Sequence, residues 1–251
     1  MHQNNALRYF VEFAYNGTRY HGWQSQPNAV TVQEELTNAC GLLLSGEVEL
    51  VAAGRTDAGV HAQKMYAHFD YKQEIDEAKL VAKLNSFLSK DIAVYRIFRV
   101  QDDAHARFDA TRRKYEYHLH TKKNPFLNET SWYYHRSLDF DKMNQAAQVL
   151  FAYDDFECFS KTHTDVYTYL CEIYQAEWTK VGENQWVFTI AANRFLRNMV
   201  RAIVGTLVNV GIGKIEPAEV HEIIKSKDRS KAGFSVPACG LHLVEVSYPY
   251  L

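Results

Sequence analysis

The 251-residue sequence predicts an α+β fold of two successive halves, each running strand, helix, strand, strand, helix, strand. Three observations carry this. Short runs rich in Tyr, Phe and Val alternate apolar and polar residues, as half-buried strands do. The helical stretches open on side chains suited to N-caps: Thr31, Asp76 and Asp139. The element order of the first half then returns in the second, although no sequence-level repeat accompanies it.

The elements follow in order. Arg8–Tyr15 reads as the first strand. Thr31-Val32-Gln33-Glu34 is a capping box that opens a helix to about Leu44, with Val32, Leu36, Ala39 and Leu43 on its apolar face. Glu47–Ala52 and Lys64–Phe69 are two strand-like runs; Val48, Leu50 and Ala52 share a face of one, and Met65, Ala67 and Phe69 a face of the other. Asp76 caps a helix to about Leu88, with Ala78, Val81, Leu84 and Leu88 as its stripe, and Ile92–Val100 closes the first half. In the second half, Arg112–His120 is a strand with Tyr115, Tyr117 and Leu119 on one face, and Phe140–Phe151 is a helix capped by Asp139. Leu170–Lys180 and Gln185–Ala192 are strands around the turn Gly182-Glu183-Asn184. A long helix from Phe195 to about Val210 buries Leu196, Val200, Ile203 and Leu207. Pro217 starts a short helix to Ile224, and Gly240–Tyr248 is the last strand. This order describes two ferredoxin-like halves with antiparallel sheets, residues 1–105 and 106–251, joined near Asp102–Ala106. The connections Lys122–Leu138 and Ser160–Tyr169 are long enough to be functional loops.

Composition narrows the class. The chain is 47% apolar and 23% charged, which suits a globular protein and not a disordered one. Its formal net charge of −2 does not advertise a nucleic-acid binder, so only local clustering of basic residues can support one. Cys40, Cys158, Cys171 and Cys239 are far apart and read as reduced, buried thiols. The N-terminus has no signal-peptide pattern and no apolar run approaches a membrane span, so the expected location is the cytoplasm.

The most informative stretch is Gly54-Arg55-Thr56-Asp57-Ala58-Gly59-Val60-His61, between the second and third strand runs. Gly54 and Gly59 allow positive φ and close approach to a ligand. An Asp on such a turn can serve as a nucleophile, with Arg55 favouring its ionised form. A bare Arg-x-Asp is explained as well by an Asx turn with a surface ion pair.

Basic residues cluster at Arg107, Arg112, Arg113, Lys114, Lys122 and Lys123. Arg194, Arg197 and Arg201 are spaced to share one face of the long helix, and no acid occurs between Glu183 and Glu216. Tyr20-His21-Gly22-Trp23-Gln24 lies on a loop; its Trp and His can stack on unpaired bases or plug the end of the core. No Gly-x-Ser-x-Gly, P-loop or Rossmann fingerprint occurs, and the histidines show no metal-ligand spacing.

The string Gly54–His61 resembles the active-site motif of the TruA family of tRNA pseudouridine synthases. Tyr20-His21-Gly22-Trp23-Gln24 resembles that family's N-terminal loop motif. Ala106-Arg107-Phe108-Asp109-Ala110-Thr111 with Arg113-Lys114-Tyr115-Glu116-Tyr117 resembles its central strand, and Phe195–Arg201 with Ile203-Val204-Gly205 its C-terminal helix. The motifs occur in the family's order and spread over most of the chain.

The resemblance implies conversion of uridine to pseudouridine at positions 38, 39 and 40 of tRNA, in the anticodon stem-loop, with a central RNA-binding cleft. Asp57 would be the catalytic nucleophile acting on a flipped-out uridine. Tyr115 would pack against the target base, and Arg55 and Arg201 would be the basic partners. An ion pair with Arg201 would hold Asp57 charged and aimed. Neither cofactor nor metal is implied, and the family is homodimeric. Two departures stand out: Leu170 or Cys171 occupies a place where members often carry arginine, and the loop Lys161–Tyr167 matches poorly. Rival readings are a non-catalytic RNA-binding protein of the same fold, a synthase for another uridine, and an unrelated hydrolase with an Asp nucleophile. The last requires a second acid or a ligand set near Asp57, for which the sequence offers no clear candidate.

Overall fold

The computed structural model describes residues 6–162 and 167–251. The chain mixes α and β structure, the sheet is mostly antiparallel, and no helix among the described residues is long and apolar enough to cross a membrane. It divides into two compact units. One reaches to Thr111 and also takes Leu243–Leu251; the other is Arg112–His242. The C-terminal residues from Leu243 thus group with the first unit.

In the first unit β1 (Leu7–Tyr15) is central. It runs antiparallel to β3 (His61–Tyr71) on one side and to β4 (Ile92–Arg99) on the other. The short β2 (Val51–Ala52) pairs with β3. Residues from Leu243 of β9 (Leu241–Ser247) lie on the other edge of β3. Alternation along β1 and β3 sends Phe13, Met65 and Phe69 into a core closed by Leu36 of α1 (Val32–Leu44) and Leu84 of α2 (Glu77–Phe87). The expected caps form: Thr31 Oγ1 accepts from the Glu34 amide at 3.4 Å and Asp76 Oδ1 from the Lys79 amide at 3.1 Å.

Two expectations here need correction. The run Glu47–Ala52 is extended strand only at Val51–Ala52; Val48 and Leu50 are buried without joining the ladder. On α2 the buried positions are Leu80 and Leu84, one turn apart, while Ala78 faces solvent, because two residues turn the helix by about 200° and place Ala78 on the side away from Leu80.

In the second unit β5 (Arg112–His120) pairs antiparallel with β8 (Gln185–Ala192), and β8 with β7 (Ile173–Gly182). A two-residue β6 (Trp132–Tyr133) runs parallel to the end of β5. The helices are α3 (Phe140–Gln148, capped by Asp139), α4 (Met199–Gly211) and α5 (Glu219–Lys225). α4 begins four residues later than its aliphatic periodicity suggests. Asn198 takes the left-handed conformation at φ 67°, which an α-helix cannot pass through. Arg194 and Arg197 therefore lie before the helix, and the three-arginine face does not form; Arg201 alone of the three is on α4. Cys40, Cys158 and Cys171 are buried free thiols and Cys239 is half-buried. Burial pushes Cys40 and Cys158 up to about 12 and Cys171 to about 11.

Candidate active site on the Asp57 turn

The turn leaves β2 and returns as β3, and its backbone is held at several points. The Ala53 amide donates to Tyr66 O at 2.8 Å, where the strands part. The Val60 amide donates to Asp57 O at 3.1 Å, closing the turn, and Gly59 takes φ +77°. Ahead of the aspartate, Thr56 Oγ1 and the Tyr15 hydroxyl meet at 2.8 Å. Asp57 is half-buried and Arg55 exposed.

The segment after β1 clamps the turn. The Trp23 amide donates to Thr56 O at 3.3 Å, and the Gly59 amide to Tyr20 O at 3.2 Å. The Gly17 amide donates to His61 Nδ1 at 3.1 Å, so the buried imidazole is an acceptor there. Gly22, at φ +88°, passes so close to Thr56 O that a Cβ would collide with it. Of the two motif glycines, only Gly59 uses positive φ. Gly54 does not, and a Cβ there would meet open space, so it leaves room for a ligand at the turn.

The loop Tyr20–Gln24 is therefore a brace. Trp23 is buried with its ring 5.3 Å from that of Phe13, and the buried Tyr20 bonds Ser89 Oγ at 2.9 Å. Only His21 of this group faces solvent. Base stacking by Trp23, one of two roles read from the sequence, is excluded by its burial.

Downstream in the same unit, His105 Nδ1 accepts from the amides of Arg107 and Phe108 at 3.1 and 3.3 Å. This holds Phe108 in solvent, 74% exposed, with the Arg107 guanidinium over its ring. His68 lies beneath, accepting from the Ala106 amide at 3.1 Å, its ring 4.5 Å from that of His105. Burial, helped by the charge of Arg8, lowers His68 to about 4.

The other two sequence-predicted site residues belong to the second unit. Tyr115, half-buried on β5, meets the Phe195 ring edge-on at 5.2 Å. Arg201, in the first turn of α4, donates from Nε to Val236 O at 2.7 Å, and the Val236 amide returns to Arg201 O at 3.3 Å. These bonds fix the guanidinium stem. Most of the loop Lys161–Tyr167 lies outside the described residues, as do 163–166 in particular. Among the described residues no group of three or more His, Cys, Asp or Glu is placed to hold a metal.

The residues that sequence reasoning missed are the supporting ones: Tyr15, Gly17 and the positive φ of Gly22. A glycine inside Tyr-His-Gly-Trp-Gln was the available signal for the last.

A chain that fixes one carboxylate on a glycine-braced turn matches, over residues 146–249, a family model described as tRNA pseudouridine synthase. Relatives match over nearly the whole length. The tRNA pseudouridine synthase A of Bacteroides fragilis is 55% identical over 246 residues, 98% of each chain. That of Bacteroides thetaiotaomicron is 54% identical over 244 residues, 96% of this chain and 91% of its own. That of Thermoanaerobacter pseudethanolicus is 42% identical, covering 93% of this chain and 96% of its own. The chain belongs to the tRNA pseudouridine synthase A (TruA) family, isomerases that act on tRNA.

Proposed function

We propose that this chain isomerises uridine to pseudouridine at positions 38, 39 and 40 of tRNA, in the anticodon stem-loop, with Asp57 as nucleophile. The observation that carries the reading is the Asp57 turn. Its backbone is bonded on both sides of the aspartate and braced by Gly22, so the carboxylate is positioned before substrate arrives.

The chemistry fits a single carboxylate. The N1–C1′ bond breaks, the base turns, and C5 bonds C1′; the C5 proton leaves to water and N1 takes one. Nothing is oxidised or reduced, so no redox cofactor is required. A carboxylate can add to C6 of the base, attack C1′ or assist elimination at C2′. The target uridine must leave its stack, which costs a few kcal/mol in a duplex region. In this reading Tyr115 packs against the flipped base, Arg201 is the basic partner of the Asp57 carboxylate, and exposed Arg55 fills the vacated space or holds a phosphate. Each half is ferredoxin-like, the working form is a homodimer, and the protein acts in the cytoplasm.

The test is mapping of pseudouridine in unmodified tRNA transcripts that carry uridine singly at 38, 39 or 40. Modification at all three supports the assignment. Modification confined to a uridine outside the anticodon stem-loop replaces it with a synthase of other specificity.

A further inference from the structure

The second unit carries an open cavity of about 340 Å³ that the catalytic reading does not use. It lies where the loop after β5 faces the β7–β8 turn, and the two are tied by the Thr121 amide donating to Asn184 O at 2.9 Å. Its wall includes His120, Lys122, Lys123, Asn124, Asn184 and Gln185.

His120 is 1% exposed, and its Nδ1 pairs with Ser131 Oγ at 2.9 Å. Its Nε2 is buried with no hydrogen-bond partner. A buried polar atom left unsatisfied is costly, so its retention in a residue that lines the cavity points to a ligand that completes it. Burial holds the imidazole below its ordinary value, so it is neutral at pH 7. The Ser131 hydroxyl can donate to Nδ1, and in that tautomer Nε2 carries the ring proton and is a donor.

The rest of the wall has the same polarity. Lys122 and Lys123 are exposed cations that make no ion pair with a described residue, and the amides of Asn124, Asn184 and Gln185 supply further donors. Glu183 is the one carboxylate on the wall, so the two lysines leave a net positive charge there. The loop is held locally: the Phe126 amide donates to Asn124 Oδ1 at 3.0 Å and the Leu127 amide to Asn124 O at 3.2 Å.

We propose that this cavity is a phosphate-binding site, with Lys122 and Lys123 supplying charge and His120 Nε2 a buried donor. The phosphate is either one on the tRNA backbone or a free small phosphate, and both present the same tetrahedral, anionic acceptor. The site goes beyond the catalytic reading and does not depend on Asp57.

The experiment titrates the full-length protein with inorganic phosphate, using sodium chloride of matched ionic strength as control, and follows the His120 imidazole by nitrogen NMR. It is repeated on a Lys122→Ala/Lys123→Ala variant, whose substitutions are exposed and leave the fold intact. A saturable Nε2 shift in wild type, weakened about tenfold or more in the variant, supports the site. tRNA binding measured against salt then assigns the source. A salt slope about 1–2 smaller in the variant identifies a backbone phosphate, and an unchanged slope a free one. No saturable shift with phosphate, together with unchanged tRNA binding by the variant, overturns the proposal.

Discussion

The Tyr15 hydroxyl and Thr56 Oγ1 lie 2.8 Å apart, joining the last residue of β1 to the residue that precedes Asp57. β1 is the central strand of its unit and among the most buried, so the aspartate's position is referred to the core and not to the loop that carries it. Tyr15→Phe removes the hydroxyl and keeps the ring. We expect a loss of about 1 kcal/mol in stability. Turnover should fall several-fold with tRNA affinity unchanged. Urea denaturation together with separate kcat and KM measurements checks this.

Gly22 and Gly54 make opposite predictions for the same substitution. At Gly22 an alanine combines a φ of +88° with collision against Thr56 O, so Gly22→Ala should destabilise the protein by roughly 2–3 kcal/mol and displace the turn. At Gly54 the added Cβ meets open space in an ordinary backbone conformation. Gly54→Ala should leave Tm unchanged or slightly raised. Any loss of activity there reports on the space beside the turn that the substrate needs. Thermal melts and turnover of the two variants, run in parallel, separate the effects.

The pair His68–His105 makes stability depend on pH in a defined window. His68 is lowered by burial to about 4, so the unfolded chain takes up this proton more readily than the folded one. Its contribution is fully present above the unfolded value near 6.5 and is lost as pH falls from there toward 4. The full shift corresponds to about 3 kcal/mol, and water access to the ring reduces this to roughly 1–2 kcal/mol. Denaturant unfolding at pH 7, 5 and 4 should show wild type losing stability over this range. His68→Asn, which cannot take up the proton, should lose less.

Phe108 is 74% exposed, its ring 4.3 Å from that of His105 and under the Arg107 guanidinium, so one face is open to solvent. Base stacking is worth about 1–3 kcal/mol per base. Phe108→Ala should therefore weaken tRNA binding by about tenfold with no change in Tm. A gel-shift titration beside a thermal melt reads both.

Much of the fold was legible because its signals are local. Thr31, Asp76 and Asp139 cap the helices they were expected to cap, and β5 and β8 run over the residues their alternation marked. The misread boundaries were set by distant partners. Aliphatic spacing through Leu196, Val200, Ile203 and Leu207 continues across Asn198, and all four are buried as expected. Yet the helix starts at Met199, because Asn198 takes positive φ and its Nδ2 donates to Ser235 Oγ at 2.8 Å, 37 residues away. Periodicity cannot see that bond.

The site divides in the same way. Asp57 and Arg55 stand out within one eight-residue string. The groups that hold the turn, Tyr15, Gly17 and Gly22, lie 35 or more residues earlier and acquire meaning only when β1 pairs with β3. Trp23 looked as suited to a base as to the core, and burial against Phe13 decided for the core.

The central claim is that the Asp57 carboxylate performs the isomerisation. It is tested most directly by release of tritium from tRNA labelled at uridine C5, with wild type and Asp57→Ala side by side. The turn's backbone bonds do not use the Asp57 side chain, so the variant should fold and bind tRNA. Release by wild type, with at least a ~10⁴-fold loss in the variant, is the predicted result. Comparable release by both proteins would contradict the account and remove Asp57 from the chemistry.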